Sequence, residues 1–184
     1  MKKPFPSFIR VGQGAPVVEI LPEIYEQEFS KLYHLLNHIK IPMTNVNTNR
    51  RQFPYHKRMC FGLSRGRFTG VVGLSRDSLK YPEVFEEIMR IGDKYVPFKW
   101  TSVHLNHCLT CPPHKDDNNN GKSLLVSFGE YTGSPIVVED YIYNTRHRPI
   151  MFNGSKLLHW NTPDLEGNKY SLVYYINDNC NARG

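Results

Sequence analysis

Pro112-Pro113-His114-Lys115-Asp116 sets an imidazole and a carboxylate two residues apart, so at the end of a strand both side chains point to one face. The two groups can take adjacent corners of one metal ion. A third ligand is needed, and His159 is the candidate, in Leu157-Leu158-His159-Trp160, 43 residues after Asp116. It lies on a predicted strand, with room for roughly three short strands in between. Two histidines and one carboxylate on one side of Fe(II) leave three positions open for a bidentate cosubstrate and O2. His-x-Asp by itself is a weak signal, and a second motif strengthens it. Ten residues after His159 comes Lys169-Tyr170-Ser171-Leu172-Val173-Tyr174-Tyr175. On a strand Lys169 and Ser171 face the same way, and a cation plus a hydroxyl suits the far carboxylate of a dicarboxylic acid in a semi-buried pocket. The loop Asn161 to Asn168, with Pro163 and Gly167, is expected to fold this strand back antiparallel to the one carrying His159. That would place the cation within one or two interstrand spacings of the metal's open side.

Around this stretch, from Pro97 onward, the chain is built of short runs rich in Val, Leu, Ile, Phe and Tyr. They are Phe98 to Leu105, Ser123 to Phe128, Pro135 to Val138, Pro149 to Phe152, Lys156 to Trp160 and Tyr170 to Ile176, separated by Gly, Asn, Asp and Pro. Strands at such spacing predict a sandwich or barrel. Ahead of them two helices are expected. One runs from Leu21 to about Ile39, with Pro22 in its first turn and Ile24, Phe29, Leu32, Leu35, Leu36 and Ile39 on one face. The other runs from about Pro82 to Lys94, with Val84, Phe85, Ile88, Met89 and Ile91 as its stripe. The expectation is one domain over 1–184: a helical and basic part to about 97, and a mainly β core over about 98–177.

The 184 residues are 40% hydrophobic, 22% charged and 12% aromatic, a globular balance that excludes disordered and fibrous classes. No apolar run reaches the roughly 20 residues of a membrane span, and the opening Met1-Lys2-Lys3-Pro4-Phe5-Pro6 does not lead into a signal-peptide apolar core. Cys60, Cys108, Cys111 and Cys180 do not suggest a secreted disulfide scaffold, so an intracellular protein is expected. The formal charge is +6, and its placement matters more than its size. Between Glu28 and Asp77 there is no acidic residue, but there are nine cations: Lys31, Lys40, Arg50, Arg51, Lys57, Arg58, Arg65, Arg67 and Arg76. Phe53, Tyr55, Phe61 and Phe68 are interleaved with them. Such a segment suits a polyanion, with aromatics available for stacking on bases. The bland alternative is a solvated basic face whose aromatics belong to the core.

His-x-Asp, a distal His and a basic residue some ten positions later, all in strand context, resemble the Fe(II)/2-oxoglutarate-dependent dioxygenases over roughly 101–176. Within that superfamily, His114-Lys115-Asp116, Asn118-Asn119-Asn120-Gly121-Lys122-Ser123 and Phe128-Gly129-Glu130-Tyr131-Thr132-Gly133 are similar to the TET/JBP-like nucleic-acid oxygenases and their algal and viral relatives. Those proteins commonly show His-x-Asp, an Asn three residues on, a Gly-Ser pair and a Tyr-x-Gly-Gly turn. This chain departs in three places. Lys169 stands where that group usually has Arg, Ser134 replaces the second Gly of the turn, and Lys122 splits the Gly-Ser pair.

The resemblance implies a double-stranded β-helix (jelly-roll) core. It also implies Fe(II) held by His114, Asp116 and His159, and 2-oxoglutarate held at its distal carboxylate by Lys169 and Ser171. O2 completes a reaction that yields succinate and CO2 and hydroxylates a substrate C–H bond. A nucleobase methyl group in DNA or RNA is the expected substrate, and a virus-encoded origin fits the viral relatives. Asn106 is a plausible cosubstrate ligand, against a strand-end amide. Asn119 is a candidate for hydrogen-bonding a flipped-out base, against a turn made by three consecutive Asn and Gly. Arg50, Arg51, Arg65 and Arg67 are expected on the rim of the iron cleft. A 2-oxoglutarate-dependent prolyl or lysyl hydroxylase, for which Lys is the more usual cation, is one rival. A β-barrel nucleic-acid-binding module with a vestigial site is the other.

His104, His107, Cys108 and Cys111 suggest zinc only superficially, since they alternate along a strand and lack a second Cys-x-x-Cys. Cys60 and Cys180 read as apolar fillers, Arg146-His147-Arg148 as a basic rim, and Asn153-Gly154 as a hairpin turn ahead of His159.

Overall fold

The computed structural model describes residues 18–42, 57–117 and 119–180. Arg50, Arg51, Phe53 and Tyr55 lie outside them. Among the described residues, ten strands form two sheets: β1 Glu19–Ile20, β2 Lys57–Arg65, β3 Val72–Leu74, β4 Ser102–His107, β5 Ser123–Thr132, β6 Ile136–Val138, β7 Tyr141–Tyr143, β8 Ile150–Phe152, β9 His159–Asn161 and β10 Glu166–Tyr175. The seven-stranded sheet has the order β1-β8-β5-β10-β4-β2-β3, and the three-stranded sheet β7-β6-β9. All the pairings are antiparallel. Helices α1 Ser30–Asn37, α2 Arg76–Lys80 and α3 Pro82–Tyr95 flank the strands. This is a mainly β jelly roll with flanking helices, as expected.

Period-two alternation explains how the large sheet is covered on both faces. Tyr170, Leu172 and Tyr174 of β10, Leu124, Val126 and Phe128 of β5, Val103 and Leu105 of β4, and Met59 and Phe61 of β2 are buried with Leu32 and Leu36 of α1 and Ile88 and Ile91 of α3. The intervening residues of the same strands face a cavity: Arg58, His104, Asn106, Ser123, Leu125, Ser127, Lys169, Ser171, Val173 and Tyr175. The small sheet contributes Ile136 and His159 to that cavity, and a second cluster around Ile136, Val138, Tyr143, Ile150, Phe152 and Leu157 fastens it down.

Helix α3 forms as the sequence predicts, with Pro82 in its first turn and Val84, Ile88 and Ile91 buried. A Cβ on Gly92 would crowd Trp100 and Tyr174, so that glycine sets the close approach of helix to sheet. The first helix starts later than its periodicity suggests. Leu21 N donates to Pro149 O and Ile24 N to His147 O, which keeps the chain extended along the sheet edge past Pro22. A 3-10 turn at Glu26–Phe29 then leads into α1.

The expected pairing of the His159 strand with the Lys169 strand is corrected. Strand β9 pairs with β6, whereas β10 runs between β4 and β5 in the other sheet. The loop between them crosses from sheet to sheet instead of closing a hairpin. For the same reason Asn153-Gly154 is no hairpin turn, since β8 and β9 also lie in different sheets. Strand β7 and helix α2 are additions to the sequence reading. No described helix is long and apolar enough to cross a membrane.

Candidate metal centre and its cavity

The residue pair His114 and His159 is brought together by the backbone. His114 N donates to His159 O and His159 N to His114 O, both at 3.0 Å, a reciprocal antiparallel bridge that sets the ring centroids 4.2 Å apart. Asp116 is placed by its own N–H, which donates to Gly154 O at 2.8 Å. Its Oδ1 lies 3.5 Å from His114 Nε2 and 3.7 Å from His159 Nε2. One ligand atom from each of the three falls within 4.8 Å of the other two, and this is the one such cluster among the described residues. The Cys-His group that superficially suggests zinc does not converge.

Hydrogen bonds around the cluster aim its lone pairs inward. His114 Nδ1 lies 2.9 Å from Pro112 O and His159 Nδ1 lies 2.8 Å from Leu157 O. A carbonyl only accepts, so each Nδ1 carries a proton and each Nε2 is left facing Asp116 and the site. Asn119 Nδ2 donates to Asp116 Oδ2 at 3.2 Å, leaving Oδ1 for the site. A Cβ at Gly154 would overlap Asp116 Oδ2, so the glycine is what lets the carboxylate lean in. Burial opposes charge on Asp116, but the His114 and His159 imidazoles outweigh it and hold the carboxyl well below the usual carboxylate range. Two imidazole nitrogens and an anionic oxygen converging this closely fit a divalent transition metal, with the outer hydrogen bonds such sites require.

The same cavity, of about 110 Å³, is lined by Lys169, Ser171, Asn106 and Asn119 as well as the three ligands. Lys169 is only 4% exposed. Its Nζ donates to Ser134 O at 2.7 Å and Ser134 Oγ at 3.3 Å, and it sits 5.3 Å from the Tyr131 ring centroid. No described carboxylate forms an ion pair with it. Burial pulls its pKa down to about 8. A buried ammonium without a carboxylate is a costly arrangement that a bound anion relieves. Asn106 is buried on β4, and its Oδ1 accepts from Arg58 Nε at 3.1 Å, so its amide N–H groups are left to the cavity. Register places Asn106 directly beside Ser171, and Ser171 beside Ser127.

Two of the expected rim cations are elsewhere. Arg65 donates to Asn179 O and Gly70 O and Arg67 lies by Phe68, at the β2–β3 turn; neither lines the cavity. Strand β2 runs about 20 Å from Arg58 to Arg65, so one end reaches the site and the other does not. Among the described cations of the acid-free segment, Arg58 lines the cavity. Its signal in the sequence was only its place in that run. His104 and Tyr175, joined at 2.9 Å, complete that end of the cavity.

No protein-family model matches the chain, and no curated protein matches it significantly. Solved structures do. NgTET1 in complex with 5mC DNA superposes with a TM-score of 0.58 at 12% identity, covering 90% of this chain and 74% of that one. An oxidoreductase of the 2OG-Fe(II) oxygenase family from Burkholderia pseudomallei gives 0.55 at 15% identity, covering 90% and 89%. A prolyl hydroxylase from Trichoplax adhaerens, in complex with a hypoxia inducible factor oxygen degradation domain peptide fragment, gives 0.54 at 12% identity, covering 91% and 87%. The fold is therefore that of the 2-oxoglutarate-Fe(II) oxygenases, with a TET-like structure among its neighbours.

Proposed function

We propose that this chain is an Fe(II)- and 2-oxoglutarate-dependent dioxygenase that hydroxylates a C–H bond, the methyl group of a nucleobase in DNA or RNA being its substrate. One observation carries the proposal: three lone-pair ligands and a buried ammonium without an acid face the same cavity. His114, Asp116 and His159 hold the iron, through Nε2, Oδ1 and Nε2. Iron bound there supplies O2 activation coupled to decarboxylation of 2-oxoglutarate. Lys169 and Ser171 anchor the distal carboxylate, and Asn106, held by Arg58, donates to the carboxylate nearer the metal. Leu125, Ile136, Phe152 and Val173, which also line the cavity, keep the site poor in water.

The nucleobase substrate is supported by the DNA-bound neighbour and by the basic run that brings Arg58 to the cavity wall. Arg65 and Arg67 bind phosphates away from the chemistry, which positions the strand without choosing its sequence; Arg50 and Arg51, expected to do the same, lie outside the described residues. Asn119 keeps its Oδ1 as acceptor for the base while its Nδ2 steadies Asp116. The test is incubation with Fe(II), 2-oxoglutarate and methylated or unmethylated DNA and RNA, then mass spectrometry of nucleosides and assay of succinate. Oxidised methyl bases with stoichiometric succinate support the reading. A second reading, hydroxylation of a protein side chain, is favoured by the prolyl-hydroxylase neighbours and by Lys169 as the cation. Succinate formation on peptides but not on nucleic acid would select it, and no turnover on any substrate would select the vestigial module.

A further inference from the structure

The loop leaving β4 carries Cys108-Leu109-Thr110-Cys111, and the proposed reaction does not use its thiols. Cys108 is exposed, unlike Cys60 and Cys180. The His107 imidazole beside it lowers its thiol pKa against the opposing effect of burial, whereas burial pushes the Cys60 and Cys180 thiols up. His107 is itself held in place: its Nε2 lies 2.6 Å from Asn168 Oδ1, and its ring stacks on Tyr170 with centroids 4.5 Å apart. Cys108 is tied by its N–H to Lys169 O at 2.8 Å and by Sγ to Gly167 O at 3.6 Å.

Cys108 and Cys111 stand three residues apart in one loop. At Cys108 φ is +50°, a left-handed bend that turns the chain away from the strand direction. Three residues of fully extended chain span about 10 Å at most, so a chain bent within them can reach the roughly 4.4–6.8 Å that a disulfide spans between Cα atoms. Cys111 lines the cavity, with its O accepting from Asn161 N at 2.9 Å. Both thiols are near enough to the Lys169 ammonium to favour its charged form. Cys108 is exposed and Cys111 half-buried at the cavity.

We propose that Cys108 and Cys111 form a reversible redox dithiol, in which hydrogen peroxide oxidises Cys108 and Cys111 closes the disulfide. The Cys108 thiolate, its proton taken by His107, attacks one peroxide oxygen. An S–O bond forms, the O–O bond breaks, and the departing hydroxide takes up the proton as water. The Cys111 thiol then attacks the Cys108 sulfenic sulfur. The S–S bond forms, the S–O bond breaks, and the hydroxyl leaves with the Cys111 proton as a second water. Two thiols are oxidised and one peroxide is reduced.

The test uses the full chain, stripped of metal with EDTA, freed of reductant and treated with hydrogen peroxide, so it is independent of any turnover. Peptide mapping without reduction should find an internal Cys108–Cys111 disulfide that dithiothreitol reverses, with Cys60 and Cys180 still thiols. Cys111→Ser should accumulate a dimedone-reactive sulfenic acid at Cys108, and Cys108→Ser should leave Cys111 reduced. In the unaltered chain, iodoacetamide should label Cys108 about tenfold faster than Cys180 near neutral pH, and His107→Asn should raise the pH midpoint of that labelling. The proposal is overturned if Cys60 or Cys180 is oxidised first. It is equally overturned if Cys108 pairs only between chains, or labels with the pH midpoint of an ordinary free cysteine.

Discussion

At one end of the cavity two imidazole nitrogens and a carboxylate oxygen meet; at the other, a buried ammonium hydrogen-bonds a carbonyl and a hydroxyl and lies beside an aromatic ring. The two regions are built differently as well. The metal end is assembled from a backbone bridge and single residues on the edge of the small sheet. The Lys169 end is a central strand of the large sheet, paired on both sides. The first end suits a cation and the second an anion, so under the proposed function one dicarboxylate would bridge the two.

The sharpest way to break that comparison is to remove one end and ask whether the other survives. Asp116→Ala or His159→Ala should weaken Mn(II) binding by well over about 100-fold, more than the loss of an outer hydrogen bond, in calorimetric titration of the apo chain. Retention of tight binding by either variant would mean that the lone pairs do not form the site. Lys169→Met addresses the opposite end. Metal binding should be unchanged, whereas 2-oxoglutarate binding to the metal-loaded chain should lose about 2–5 kcal/mol. The ligand-free variant should also melt higher than the parent, because a buried unpaired charge is gone. A lower melting temperature would show that the ammonium is already satisfied.

A pH titration sharpens the same contrast. Lys169 releases its proton near pH 8 in the folded chain and near 10.5 when unfolded. Between those values the unfolded chain binds more protons, so stability rises with pH. The cost of burying the ammonium is fully present below about pH 8 and is relieved toward 10.5, an effect on the order of 3 kcal/mol. Denaturant melts of the ligand-free chain should show that rise, and Lys169→Met should lack it. Binding 2-oxoglutarate favours the ammonium, so between pH 8 and 9 it should take up a proton, read as a buffer-dependent heat. The smallest effect is expected beside Asp116. Asn119→Ala or Gly154→Ala should weaken metal binding by about tenfold, by freeing or displacing the carboxylate. Full metal affinity in Asn119→Ala with altered base preference would assign Asn119 to the substrate alone.

Much of this site is legible along the chain because the metal needs particular donor types. His114 and Asp116 declare themselves by spacing, and Lys169 and Ser171 by sharing a strand face. His159 is legible as the third donor, but not the means of its approach, a backbone bridge between segments 45 residues apart in the chain. Arg58 shows the opposite limit. Nine cations in one acid-free run look alike, and among the described ones only the register of β2 on β4, with Arg58 opposite Asn106, picks one for the cavity.

What the sequence alone determined is the β texture of the second half, helix α3, and the set of groups able to bind a metal and an anion. Those come from local periodicity and side-chain chemistry, which act within a few residues. Only the tertiary structure decided which polar faces meet water. The alternation in β2, β4, β5 and β10 is the pattern of strands with one face on a core and the other in solvent. Here the small sheet covers part of that second face, turning it into the wall of a cavity. The loop from β9 to β10 changes sheets where a hairpin was expected, because β10 finds both of its partners, β4 and β5, in the large sheet. A strand's choice of neighbour depends on the packing of the whole chain, and that information is not held in any one stretch of it.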